Sequence, residues 1–376
     1  MPKIHTKICD MLNIDLPIFL AGMGSPLAER EFNASGPKLV AAVCNAGGMG
    51  FIGGAPLYPD ELREQIREAK KLTDKPFGVD LLMPMNLPPT LSEAAEVLGV
   101  SKETVQKAQE FVDKLMKDLN IQEPTGRPRP FPAEDFVKSQ LDVVFEERVS
   151  ALATGLGIQS WVVSELQKCN MKLFCLVGNV KTARRVASMG ADVIVATGYE
   201  SGGHTGRVGT MALIPQVVDA VSPLPLIAGG GIGDGRGFAA ALALGAQGIW
   251  CGSRFLATYE ASIPDFVKEN ILNASEEDTV IQKVFTGKTA RIINCKLVEM
   301  WQESGISTLP MPLQGMVINK FLRGSIQSDK HEYIGGFAGQ IIGMIKQIEK
   351  AEDVVYKMVE QATRILRDEL PSLIIS

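Results

Sequence analysis

The chain has 376 residues, of which 45% are hydrophobic and 22% are charged, and its formal net charge is −5. This length allows one large domain, and the negative charge excludes a whole-molecule attraction to nucleic acid or anionic lipid. No run of about 18 apolar residues predicts a membrane span, and the first residues lack a signal-like apolar stretch, so we expect a cytoplasmic protein.

Short apolar runs alternate with helical patterns along the chain, which is typical of parallel βαβ units. Eight runs are predicted to be strands: Pro17–Ala21, Leu39–Cys44, Phe77–Leu81, Ala151–Thr154, Leu173–Val177, Val193–Ala196, Leu226–Ala228 and Gly248–Cys251. Residues 180–187 and 237–244 show helical patterns between the strands and are predicted to be covering helices. Each pattern ends near a glycine, as a helix C-terminus often does. The sequence therefore predicts an α/β fold, a (β/α)8 TIM barrel.

Two segments exceed the connections of a minimal barrel. Residues 84–148 follow the third predicted strand, are rich in proline and include a charged helical stretch. We interpret them as an inserted cap or a contact between subunits of a homo-oligomer. Residues 256–330 form an extension after the eighth strand, and 338–366 are predicted to be one or two amphipathic helices. The barrel domain would then comprise residues 1–83 and 149–376.

Three consecutive predicted strands, the sixth to the eighth, end in glycine-rich turns. In a parallel barrel these ends face one pocket, where backbone N–H groups bind phosphate and glycine allows a close approach. Two such turns at the seventh and eighth strands favour a phosphate site over turns that serve the topology alone. The candidate binding residues in the three turns are Gly202, Gly203, Gly230, Gly231, Gly252 and Ser253.

His204 is the candidate for proton transfer. It is one of three histidines, and it lies in a glycine-rich turn with almost no bulky neighbours. Loops at the top of a barrel commonly carry catalysis, and an imidazole can accept a proton from carbon at physiological pH. We favour this role over a histidine that only hydrogen-bonds a cofactor or the backbone.

Three further residues lie at predicted strand ends. Asp80 could accept a hydrogen bond from a cofactor ring N–H, or it could be a helix N-cap or a loop carboxylate, and both interpretations stay open. Gly22 and Met23 offer flat backbone and a flexible thioether to a cofactor ring. The six cysteines show no metal-binding spacing, and no metal is predicted. Cys251 is expected to pack rather than react.

Taken in chain order, these motifs resemble the nitronate monooxygenase family, formerly the 2-nitropropane dioxygenases. The family also includes flavin-dependent enoyl-thioester reductases. The resemblance covers most of the chain outside residues 84–148. The stretches that carry it are Ala21–Gly24, Asn45–Gly50, Pro76–Asp80, Glu200–Gly206, Gly230–Gly237 and Gly252–Phe255.

The resemblance implies FMN as the cofactor. By position, Gly202, Gly231 and the segment Trp250–Ser253, which includes Cys251, would hold its phosphate and ribityl chain, and His204 would be the base. Thr197 and Asp80 stand where family members often have glutamine and asparagine near the flavin. The aspartate at position 80 puts a charge near the flavin and weakens the assignment to nitronate chemistry in particular.

The resemblance also implies the reaction. The first interpretation is oxidation of a small-molecule alkyl nitronate with O2 to a carbonyl compound and nitrite. The alternative is an FMN- and NAD(P)H-dependent enoyl-thioester reductase, or an acyl-CoA dehydrogenase, which the long segment 84–148 favours because a thioester needs a longer covered groove. The second alternative is a non-catalytic flavin-binding sensor, against which His204 argues.

Overall fold

The computed structural model describes residues 4–24, 32–83, 87–88, 90–128, 130–155 and 157–374. The strands of its main sheet are β1 (Ile18–Leu20), β2 (Met49–Gly53), β3 (Gly78–Leu82), β4 (Ala151–Gly155), β5 (Lys172–Val177), β6 (Val193–Thr197), β8 (Leu226–Gly229) and β9 (Gly248–Cys251). Each strand pairs in parallel with its neighbour in this order, and β9 pairs with β1. The predicted eight-stranded TIM barrel is confirmed.

One predicted strand is wrong. Residues Leu39–Cys44 lie in helix α2 (Pro37–Asn45), and the second strand of the barrel is β2. Pro37 suits the first turn of a helix, where its missing N–H costs nothing. Helix α2 is buried against β2 on one side and α15 (Ala351–Arg364) on the other. Because both sides of the helix are apolar, the run Leu39–Cys44 shows no helical periodicity in its hydrophobic residues.

Helices cover the barrel on the outside. They are α2, α3 (Pro59–Leu72), α6 (Glu134–Glu147), α7 (Ser160–Lys168), α8 (Val180–Ser188), α9 (Thr210–Val221), α10 (Gly235–Ala243) and α15. The two predicted helices at 180–187 and 237–244 are confirmed by α8 and α10. The predicted helical region 338–366 contains a short 3₁₀ turn, Gln340–Met344, followed by α15.

The barrel interior is filled by large side chains that alternate along the strands. Phe19, Phe51, Phe174 and Trp250 pack together there, and the short helix α1 (Lys7–Leu12) closes the end where the strands begin. On β3 the outward positions Val79 and Leu81 pack in the cluster that contains the covering helices. Successive residues of a strand face opposite sides. Asp80 therefore faces the barrel interior.

A second hydrophobic cluster lies outside the barrel, and we call the elements that form it the cap. They are α4 (Leu91–Val97), α5 (Lys102–Asp118), the hairpin β10 (Thr279–Gln282) and β11 (Ala290–Ile293), α13 (Lys296–Glu303) and α14 (Leu313–Gln327). The cap thus joins two segments that are far apart in sequence. Helix α6, which ends the segment 84–148, packs on α3 in the barrel wall instead.

Three smaller elements complete the chain: β7 (Gly203–His204), α11 (Ser253–Leu256) and α12 (Asp265–Asn273). Strand β7 pairs antiparallel with β11, so the cap hairpin lies directly over the turn that follows β6. Among the residues that the structure describes, no helix is long and apolar enough to cross a membrane.

Candidate functional site

A cavity of about 680 Å³ opens at the carboxyl ends of the barrel strands. This is the volume of a typical cofactor or substrate site. All the residues predicted from the sequence line it: Gly22, Met23, Asp80, Thr197, Gly202, Gly203, His204, Gly230, Gly231, Trp250, Cys251, Gly252 and Ser253. The fold therefore brings the candidates from five strand ends into one space.

The turn after β8 needs glycine for its backbone conformation. Gly230 and Gly231 have φ values of +89° and +73°. Side chains rarely adopt this left-handed region, and a β-branched residue there is strained. A Cβ at Gly230 would also lie only 3.0 Å from the Gly198 carbonyl oxygen. The turn presents bare backbone to the cavity, which is what a phosphate group requires for a close approach.

Ser253 adds a hydroxyl to this end of the cavity. Its Oγ accepts a hydrogen bond from the backbone N–H of Gly339 at 2.8 Å. Because that bond uses only the acceptor side of the hydroxyl, the O–H hydrogen remains available for an anion. Ser253 therefore suits a phosphate ligand, as does the adjacent backbone of Gly252.

Glu200 fixes the glycine-rich turn that carries the histidine. Its carboxylate accepts hydrogen bonds from the backbone N–H of Thr210 at 2.9 Å and from the Thr210 hydroxyl at 2.8 Å. The same hydroxyl lies 2.9 Å from the carbonyl oxygen of Gly230. The turns after β6 and β8 are thus tied together. Sequence reasoning missed this role because Glu200 carries no distinctive spacing to its partner.

His204 is held by the cap. It lies opposite Ala290 in the pairing of β7 with β11, and its Nε2 is 3.0 Å from the Thr286 Oγ1. Thr286 also lines the cavity. It was not predicted, because its contact with His204 joins residues 82 positions apart in sequence. The imidazole is consequently oriented by the cap as well as by its own turn.

Asp80 is a carboxyl group without a protein partner. It lies within β3, so the helix N-cap interpretation is wrong. In the described ranges of the chain, its carboxylate makes no hydrogen bond or ion pair. Burial raises its pKa to about 7, because the charged form is poorly solvated there. The side chain also explains Gly22, since a Cβ there would lie 2.1 Å from the Asp80 Cβ.

The pKa of Asp80 predicts a pH-dependent stability. Its folded pKa of about 7 exceeds the ordinary value of 3.8, so the unfolded chain loses this proton first as the pH rises. The free energy of unfolding therefore falls as the pH rises from about 4 to about 7. Above about pH 7 this group causes no further loss of stability. We expect Asp80→Asn to remove this loss, stabilising the flavin-free protein at pH 8 by on the order of 4 kcal/mol.

Urea unfolding of the flavin-free protein between pH 4 and pH 8 measures this effect. The exposed Asp74→Asn variant is the matched control and should follow the parent protein at every pH. If Asp80→Asn shifts stability equally at pH 4 and pH 8, the carboxyl group does not titrate as described.

Trp250 and Cys251 are neighbours on β9 whose side chains pack on opposite sides of the strand. The Trp250 ring lies 4.8 Å from the Phe51 ring, centroid to centroid, and is buried in the barrel interior. Cys251 is also buried, and burial raises the pKa of its thiol to about 12. A thiol with that pKa stays protonated at neutral pH and is a poor nucleophile. The structure therefore assigns Cys251 to packing.

Comparison with known proteins agrees with this geometry. The family model for nitronate monooxygenase matches residues 5–361. The chain is 38% identical over 343 residues to the putative monooxygenase Rv1533 of Mycobacterium tuberculosis, covering 86% of this chain and 90% of the relative. It is 32% identical over 375 residues to a probable nitronate monooxygenase of Staphylococcus haemolyticus, covering 96% and 98%.

A solved structure is also similar. FabK from Thermotoga maritima superimposes with a TM-score of 0.76 and 30% sequence identity, over 99% of this chain and 100% of FabK. The family model covers nearly the whole chain, and the relatives are matched along almost their full length. This chain therefore belongs to the nitronate monooxygenase family and is a flavin-dependent oxidoreductase.

Proposed function

We propose that this protein binds FMN and oxidises small alkyl nitronates with O2, giving a carbonyl compound and nitrite. The observation that carries the proposal is the single cavity in which His204 faces the glycine turns of β8 and β9. The family of the chain and its staphylococcal relative support the same reaction.

The residues of the cavity fit FMN. Gly230, Gly231 and Gly252 leave backbone free at one end, and the Ser253 hydroxyl retains a hydrogen to donate. We propose that Gly202, Gly203 and these residues hold the phosphate and ribityl chain. Gly22 and Met23 would pack on the ring system, with Thr197 and Asp80 beside it. A side chain at the glycine positions would fill the space that the cofactor needs.

His204 would supply the proton chemistry. Its imidazole would remove the α-proton of a neutral nitroalkane, or donate a hydrogen bond to a nitronate oxygen. The hydrogen bond to Thr286 keeps the ring in one orientation while it does so. FMN, when bound, supplies the redox chemistry that accepts electrons from the substrate. Apolar residues on the cap side would cover the alkyl chain of the substrate. Phe285 and Phe337 line the cavity there.

Anaerobic mixing with an alkyl nitronate tests the proposal. We expect ethyl nitronate to change the visible absorption of the flavin-loaded protein, and air to restore it with release of nitrite. An unchanged flavin spectrum in a protein that binds FMN would contradict the proposed reaction.

Thr286 is expected to be a positioning residue. Thr286→Val keeps the side-chain shape but removes the hydroxyl that bonds His204 and the backbone of Lys288, so we expect the turnover number to fall about 10-fold. FMN affinity should not change. Thr289→Val in the same turn is the control. Measuring the turnover number against pH adds a second readout, because a loosened imidazole should also shift the profile. Equal rates for the two variants would remove Thr286 from this role.

The alternative is reduction of an enoyl thioester with NAD(P)H. The likeness to FabK and the length of the cap favour it, because the cap extends the covered surface beside the cavity. Oxidation of NAD(P)H that requires an enoyl-CoA or enoyl-ACP would identify this activity. Nitrite release without any nicotinamide would identify the proposed one.

A further inference from the structure

Lys288 is a cation inside the cavity. It follows Thr286 by two residues in the turn between β10 and β11, and it is half-buried. Within the described part of the chain, its ammonium group makes no hydrogen bond or ion pair. Burial lowers its pKa, since the charged form is poorly solvated there. A buried ammonium without a partner is costly, and an anionic ligand would offset that cost.

The other charged groups that line the cavity do not neutralise Lys288. The Glu200 carboxylate is hydrogen-bonded to Thr210, and Arg185 lies exposed on α8. Asp80 faces the barrel interior, and burial is the sole cause of its raised pKa. Burial likewise lowers the pKa of Lys288, and within the described residues no ion pair joins it to Asp80. Among the residues that the structure describes, no carboxylate therefore compensates the positive charge of Lys288 in the cavity.

The backbone of Lys288 lies next to the group proposed to move the proton. The backbone N–H of Lys288 donates to the Thr286 Oγ1 at 3.2 Å, and that oxygen is 3.0 Å from His204 Nε2. Lys288 and His204 are thus connected through one hydroxyl. Because Lys288 and His204 also line the same cavity, an anionic group held by Lys288 can lie at the reacting end of the substrate.

We propose that Lys288 determines substrate specificity by binding the anionic group of the substrate beside His204. This inference rests on the proposed function and deepens it, because a nitronate carries its negative charge on the two oxygens of the reacting group. An enoyl thioester is neutral at its reacting carbons and offers Lys288 no such partner. The ammonium group would donate charge-assisted hydrogen bonds to these oxygens.

Lys288→Met and Lys288→Arg test the role, with Lys283→Met as the control. Lys283 lies exposed in the same turn, so its loss changes the net charge equally. For Lys288→Met we expect the KM for ethyl nitronate to rise roughly 10- to 100-fold, and the KM for neutral nitroethane to stay within about 3-fold. In Lys288→Arg, the KM for ethyl nitronate should return most of the way to the value of the parent protein. Equal effects on both substrates would overturn the proposal.

Two binding measurements determine which anion Lys288 holds. The Kd of FMN should be the same in Lys288→Met and the parent protein, and a weakened FMN complex would assign the lysine to the cofactor phosphate instead. Calorimetric titration of the flavin-loaded protein with sodium nitrate, a planar unreactive anion, should show at least about 10-fold weaker binding in Lys288→Met.

The nitrate titration also distinguishes a failure of the anion site from a failure of the proposed reaction. If the protein does not turn over nitronates, the proposed reaction is wrong, yet weaker nitrate binding in Lys288→Met still supports an anion site at Lys288. Equal nitrate binding in both proteins, or none in the parent, overturns the anion site whatever the reaction proves to be.

Discussion

Ser253→Asp should strongly weaken the binding of FMN while leaving the fold intact. The aspartate can still accept the hydrogen bond from the Gly339 N–H, so the contact between α11 and the segment before α15 is kept. Its charge would face the phosphate. Two like charges about 4 Å apart near a protein surface repel by roughly 4 kcal/mol, so we expect the Kd of FMN to rise at least about 100-fold. Quenching of FMN fluorescence measures it.

Ser253→Asn is the matched control, since it has nearly the shape of the aspartate variant without the charge. Riboflavin provides a second control because it lacks the phosphate group. We expect riboflavin to bind the asparagine and aspartate variants with similar Kd values. If FMN also binds them equally, the phosphate does not lie at Ser253.

His204→Ala should keep the flavin and lose most of its turnover. The side chain lines the cavity, and its Nε2 contacts Thr286 of the cap hairpin. Losing a general base typically costs about 10²- to 10⁴-fold in rate, and we expect this loss with neutral nitroethane. Preformed ethyl nitronate no longer needs the base, so the loss in turnover with it should be smaller.

His5→Ala is the control for this variant. His5 is bonded to Asp10 beside α1, at the opposite end of the barrel. Rates should be expressed per bound flavin and measured with both substrates. A His204→Ala protein that loses FMN but retains its full rate per bound flavin would contradict the assignment of a base.

Much of the barrel end of the cavity is predictable from local sequence. A turn that approaches a phosphate needs glycine for its own backbone, and this need is visible at Gly230 and Gly231 without knowledge of the fold. His204 is visible for a similar reason, because a polar ring among glycines has no packing role. The strand that carries Asp80 was predictable from its apolar neighbours, although β3 continues two residues beyond Asp80.

The cap end was not predictable in the same way. Thr286 and Lys288 reach the cavity only because the two-residue strand β7 pairs with β11, and that pairing has no local signal. The error at α2 has a related cause, since a helix buried on both sides loses the periodic pattern that identifies it. Both cases depend on contacts between distant parts of the chain.

The division of the cavity between barrel and cap also sets the order in which a growing chain can complete it. All eight barrel strands precede residue 252, and Ser253 follows directly. The hairpin that holds His204, and Gly339 that binds Ser253, lie on later segments. During synthesis the barrel strands can therefore be complete before these partners are made. The histidine and the Ser253 hydroxyl become fixed only when the last third of the protein has emerged, so a ribosome-bound chain would hold the strands of the site before it holds an enzyme.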